Sequence, residues 1–167
     1  MDAFTGFHVL LSLIGIVTGL IVAYGLLSAN RMDRLSAWFL GTTVTTSVTG
    51  FLFPFHGVTP GIVVGIVSLF TLGAAGFARY SRRLDGGWRR TYVIAALVSL
   101  YFNVFVLIVQ SFQKIPFLHD LAPTQSEPPF ALAQLINLLA FIVVGVLAVK
   151  RFHPAEPPTT RYKHATV

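Results

Sequence analysis

Cysteine is absent from all 167 residues. That removes disulfides, iron–sulfur clusters, thiolate metal sites, c-type haem attachment and cysteine nucleophiles together. Charge is scarce as well: charged residues make up 11% of the chain, and only six are acidic. Residues 3–30, 35–78, 91–113 and 128–149 contain no Asp, Glu, Lys or Arg. Proton pumps, ion-coupled carriers and voltage sensors keep an ionisable group inside the membrane, so these runs argue against a driven transporter. No G-x-S-x-G, no H-E-x-x-H, no paired acid motif and no phosphate-cradling glycine loop occurs. Nothing in the sequence therefore points to catalysis. The start Met1-Asp2-Ala3-Phe4 lacks a basic n-region, so the first apolar run reads as a retained span rather than a cleaved signal. No internal repeat is evident, and with it goes the signature of an inverted-repeat transporter.

What is present is apolar surface. Hydrophobic residues make up 54% of the chain, and the mean hydropathy is +0.74. Roughly 20 apolar residues in a helix cross the hydrocarbon core. The run 35–78 is long enough for two crossings and is interrupted by Pro54-Phe55-His56-Gly57-Val58-Thr59-Pro60-Gly61. The sequence thus predicts an all-α bundle of five transmembrane helices, at about 4–29, 35–53, 60–80, 91–112 and 130–150. Residues 1–153 form the transmembrane domain, and 154–167, rich in Pro and polar residues, form a mobile cytoplasmic tail. The loop 113–129 carries Pro116, Pro123, Pro128 and Pro129, with one short interfacial turn at 116–121.

Eleven of the twelve Lys and Arg residues fall on one side of this arrangement, and only Lys114 on the other. Cytoplasmic loops collect Lys and Arg, so the N-terminus is outside and the C-terminus inside, in a cytoplasmic (inner) membrane. The net charge of +6 is explained by orientation and anionic lipid rather than by nucleic acid. Trp38, Trp88, Tyr80 and Tyr92 lie near the inner ends of spans, where an aromatic belt forms. Small residues recur at four-residue spacing, as Gly15, Gly19 and Ala23 and as Gly61, Gly65 and Ser68. Such rows let helix backbones approach closely, within one chain or between copies.

The neutral polar residues inside the spans are unevenly placed. Thr42, Thr45, Thr46 and Thr49 form one helical stripe, Ser99, Asn103 and Gln110 a second, and Gln134 and Asn137 a third. Thr hydroxyls can satisfy themselves on their own helix, whereas buried amides must find partners. The amides therefore point into the bundle and join spans four and five. Most strongly polar groups gather in the outer half. An outward-facing pocket of His8, Thr49, His56, Asn103, Gln110, Gln134 and Asn137 is expected, bounded by spans one, two, four and five and covered by the proline-rich loop.

The leading reading is a non-enzymatic membrane protein, either an accessory subunit with a membrane-protein or homo-oligomeric partner or a small-ligand binder. A first alternative is a redox component, in which His8 and His56 hold a b-type haem from facing helices. With His119 they could instead bind a divalent metal, although no H-x-x-x-H spacing is present. His153 and His164 lie in the inner tail and join neither site. The other alternative is a passive channel or permease lined by Thr49, Asn103, Gln110, Gln134 and Asn137, against which the largely apolar inner halves of spans three, four and five count.

Overall fold

The computed structural model describes residues 3–53 and 60–154, and among them the fold is all-helical, with no strand. Five long helices, α1 (Ala3–Leu27), α2 (Asp33–Gly50), α3 (Pro60–Gly76), α4 (Trp88–Lys114) and α6 (Pro128–Arg151), are joined by short connections and one six-residue helix, α5 (Pro116–Leu121). That short helix coincides with the interfacial turn expected from the prolines, and Pro116 supplies the fixed φ its first turn needs. The tail from residue 155 onward and the segment 54–59, which includes His56, lie outside the described residues.

Four stretches are long and apolar enough to cross a membrane: Ala3–Leu27, Gly61–Ser81, Trp88–Lys114 and Pro128–Arg151. Exposed Leu, Ile, Val and Phe side chains line these helices, a surface that suits lipid rather than water. Helix α2 stands apart because it is only 18 residues long and opens on Asp33-Arg34. It also carries six hydroxyl side chains between Thr42 and Thr49.

Helix α4 is the centre of the bundle and touches every other long helix, while α1 also packs on α2 and α6, and α2 on α3. Close approach of α1 depends on glycine. A Cβ on Gly19 would lie 2.5 Å from Leu100 Cδ1 and 2.9 Å from the Phe39 ring. Gly15, Gly19 and Ala23 are all buried, so this row is spent on packing within the chain.

The arginine-rich end is tied together by buried polar contacts. After Gly76 the third helix widens into a π-helical turn, Phe77–Ser81, in which Arg79 and Ala78 are buried. Arg79 Nη2 donates to the Arg31 carbonyl at 2.7 Å and to Asp33 Oδ1 at 2.6 Å. Its guanidinium carbon stands 4.8 Å from the centre of the Tyr92 ring. The Tyr92 hydroxyl donates to Ser36 Oγ at 3.1 Å. Tyr92 is fully buried and therefore belongs to this core rather than to an interfacial aromatic belt, whereas Trp38 and Tyr80 are exposed. Arg89 Nη1 donates to the carbonyls of Val149 and Phe152, capping the end of α6 from α4.

At the opposite end the loop before α6 is ordered by Glu127. Its carboxylate accepts from the Thr124 N–H at 3.1 Å, the Thr124 hydroxyl at 2.9 Å and the Ser126 N–H at 3.0 Å. Slight desolvation, which raises its pKa, is outweighed by these donors, so the carboxyl sits below its ordinary range. Gln125 Nε2 donates to the Val109 carbonyl at 2.9 Å and ties the loop to α4.

Two pairs of substitutions separate these contributions. Gly19→Ala forces a contact with the buried Phe39 ring and is expected to lower stability by about 1–3 kcal/mol. Gly73→Ala, where an added methyl meets no atom within 4 Å, should cost nothing. Equal melting of the two in detergent would show that α1 is not held at this distance by glycine. Arg79→Met keeps the apolar stem and removes both hydrogen bonds, and should cost about 2 kcal/mol. Exposed Arg90→Gln is the control, and a matching melting curve would show that the guanidinium contributes nothing.

Candidate functional site

Away from the arginine-rich end, the bundle opens into a cavity of about 940 Å³ between α1, α2, α3 and α4. Its origin lies in side-chain size. Toward the arginines the axis is filled by Leu26, Phe39, Tyr92 and Leu100. Toward the other end the facing positions are Ser12, Ser47, Gly50, Gly61, Gly65 and Ser68, which are too small to meet across it. The row Gly61, Gly65 and Ser68 therefore lines a space instead of sealing a helix–helix seam. At Gly65 the missing side chain admits the Phe51 ring, which would stand 2.9 Å from a Cβ there.

His8, Asn103 and Gln110 line this one cavity; Thr49, Gln134, Asn137 and His119 do not. The wall expected from α6 is supplied by α3 instead. Helix α6 contributes no lining residue, and Gln134 Nε2 instead donates to the Phe105 carbonyl of α4 at 3.2 Å. Asn137 is buried. His119 is exposed on α5.

The deep end of the cavity is polar. Asn103 Nδ2 donates to Thr43 Oγ1 at 3.2 Å, and Thr43 is fully buried. Thr42, Thr45 and Thr49 donate to carbonyls of their own helix at 2.7–2.9 Å. Thr46 breaks this pattern. It is only 9% exposed, it lines the cavity, and its hydroxyl has no hydrogen-bond partner among the described residues.

At the rim, His8 Nδ1 lies 2.9 Å from Thr49 Oγ1, and the Phe53 ring meets the imidazole edge-on at 5.0 Å. Thr49 Oγ1 also lies 2.8 Å from the Thr45 carbonyl, so the hydroxyl bridges the imidazole and its own helix. Lys114 completes the rim.

Among the described residues no three His, Asp or Glu side chains come close enough to hold a metal. A haem between His8 and His56 involves a residue outside the described segment. Sequence reasoning missed Thr46 as a site group, the α3 wall and Lys114. The signal for the wall was available in the small residues of α3, whose spacing fits a seam and a cavity lining equally well.

No family model, curated protein or solved structure matches the chain.

Two amide replacements distinguish the cavity floor from the α4–α6 seam. Asn103→Leu strands the buried Thr43 hydroxyl and should lower stability by about 1–3 kcal/mol. Gln134→Leu loses one bond to a backbone carbonyl but also removes a buried Oε1 that has no partner, so it should cost less than about 1 kcal/mol. Thermal melting in detergent checks the order, and a larger loss at Gln134 would reverse the assignment.

Proposed function

We propose that this protein is a five-span protein of the cytoplasmic membrane, N-terminus outside and C-terminus inside, that binds a small ligand in its outer half without turning it over. The charge asymmetry supports the orientation, since the cavity lies at the end carrying Lys114 and the described arginines and Lys150 lie toward the opposite end. A fifth span in α2 is supported by its threonines. Thr42, Thr45 and Thr49 bond to their own helix, which lowers the cost of holding that helix in hydrocarbon.

The observation that carries the ligand reading is the cavity itself, with the buried, unpartnered Thr46 hydroxyl on its wall. Its volume lies within the range of roughly 300–1,000 Å³ typical of small-molecule sites. A ligand supplying one hydrogen bond to Thr46 removes the desolvation cost of that group. Apolar walls from Leu13, Val64, Val106 and Leu107 separate this floor from the rim groups His8 and Gln110. The occupant is therefore a molecule with an apolar body and polar groups at its ends. Binding is favoured because the walls are mainly apolar and enclose one buried, unpartnered hydroxyl.

Gentle solubilisation, native mass spectrometry and solvent extraction test this directly. The wild type should carry one small molecule per chain, and Ser12→Phe, which fills the middle of the cavity, should lose it while melting at a similar temperature. An empty wild type, or equal occupancy in Ser12→Phe, would refute the reading. A Soret band in the spectrum that disappears in His8→Ala would replace it with haem ligation.

A further inference from the structure

We infer that the ligand carries an anionic head, held at the cavity rim by Lys114; this rests on the ligand-binding reading above. Lys114 is the only formally charged side chain in the cavity wall, and no Asp or Glu lines it. The ion pairs among the described residues join Arg31 and Arg79 to Asp33, and none involves Lys114. The acids of the neighbouring loop do not neutralise it either. Glu127 is occupied by Thr124 and Ser126, and Asp120 forms no ion pair among the described residues.

The cation also stands in register with the polar groups of the site. Asn103, Gln110 and Lys114 lie at i, i+7 and i+11 of α4 and so share one face. Seven residues of helix separate the floor amide from Gln110, about 10 Å at 1.5 Å per residue. An elongated amphiphile fits this ladder: the head against Lys114 and Gln110, the apolar body along Val106 and Leu107, and the far end near Asn103 and Thr46. A lysine at the end of α4 also offsets the helix dipole. That role, however, requires neither the cavity nor the shared face.

Phosphate and carboxylate heads are equivalent here, since both offer oxygens to an ammonium group. A membrane amphiphile and a soluble anion are the two sources of such a head, and matched probes separate them. Wild-type protein in phosphatidylcholine nanodiscs is titrated calorimetrically with dodecyl phosphate, dodecanol and inorganic phosphate. Ser12→Phe nanodiscs serve as the blank for partitioning into lipid. Dodecyl phosphate should bind about tenfold tighter than dodecanol, the ratio that one charge-assisted contact supplies. Lys114→Gln should remove that advantage while leaving dodecanol unchanged, and Lys114→Arg should restore most of it.

Equal affinity for the two amphiphiles, or an advantage that survives Lys114→Gln, overturns the anionic head and leaves the ligand-binding reading intact. Inorganic phosphate competing as well as dodecyl phosphate overturns the amphiphile. Binding of neither amphiphile above the Ser12→Phe blank overturns the ligand-binding reading itself.

Discussion

One guanidinium organises this bundle. Arg79 is buried at the end of the third helix, with only 2% of its side chain exposed, while its partner Asp33 is 69% exposed. The pair is thus a buried cation reaching to a screened anion, and the carbonyl of Arg31 supplies the second acceptor. Removing such a charge from water is costly, so the surrounding structure must hold these acceptors in place. The Arg31 carbonyl, Asp33 and the Tyr92 ring come from the α1–α2 connection, the start of α2 and the start of α4. Three chain segments therefore converge on a single side chain. With the helices pinned at this end, the opposite end is free to be lined by Ser and Gly, and the cavity is the result.

The division of labour runs along the bundle axis. At one end Phe39, Tyr92 and Leu100 fill the interior with large side chains, which sets the floor against which Asn103 and Thr43 bond. At the other, the helices are separated by space instead of side chains, and the groups on that space are neutral apart from Lys114. Helix α2 belongs to both ends. Ser36 joins the arginine network, and Thr43, Thr46 and Thr49 reach the cavity or its immediate support. Its polarity follows from facing partners on α1, α3 and α4 rather than lipid on all sides.

Much of this was legible in the sequence. Charge-free runs gave the helices, the prolines gave the six-residue turn at Pro116–Leu121, and the small-residue row of α1 gave its close packing. Helical phase alone placed Asn103 with Gln110, and depth alone suggested that His8 joins them. What stayed hidden depends on helix rotation and neighbour order, which periodicity does not contain. Gln134 and Asn137 lie at fitting depths, yet Gln134 bonds to the Phe105 carbonyl of α4 and Asn137 is buried without lining the cavity. Arg79 read as one more loop charge because nothing in a single sequence announces that a helix will widen into a π turn. The segment holding His56 lies outside the described residues, so the haem pairing rests on the sequence alone.

Helix α6 has a different mechanical character from the rest. Only Asn137 and Ala148 are buried along its 24 residues. It is joined to α4 by Arg89 on the carbonyls of Val149 and Phe152, by the Phe141 ring against Tyr101, by Gln134 on the Phe105 carbonyl and, through the loop at its start, by Gln125 on the Val109 carbonyl. A helix of this length spans about 36 Å, against a hydrocarbon thickness of about 30 Å. Tilting is the ordinary way to absorb that excess. Seated on α4 along its length and exposed over most of its remaining surface, α6 would share any such lean with α4, the helix that carries the cavity's polar ladder.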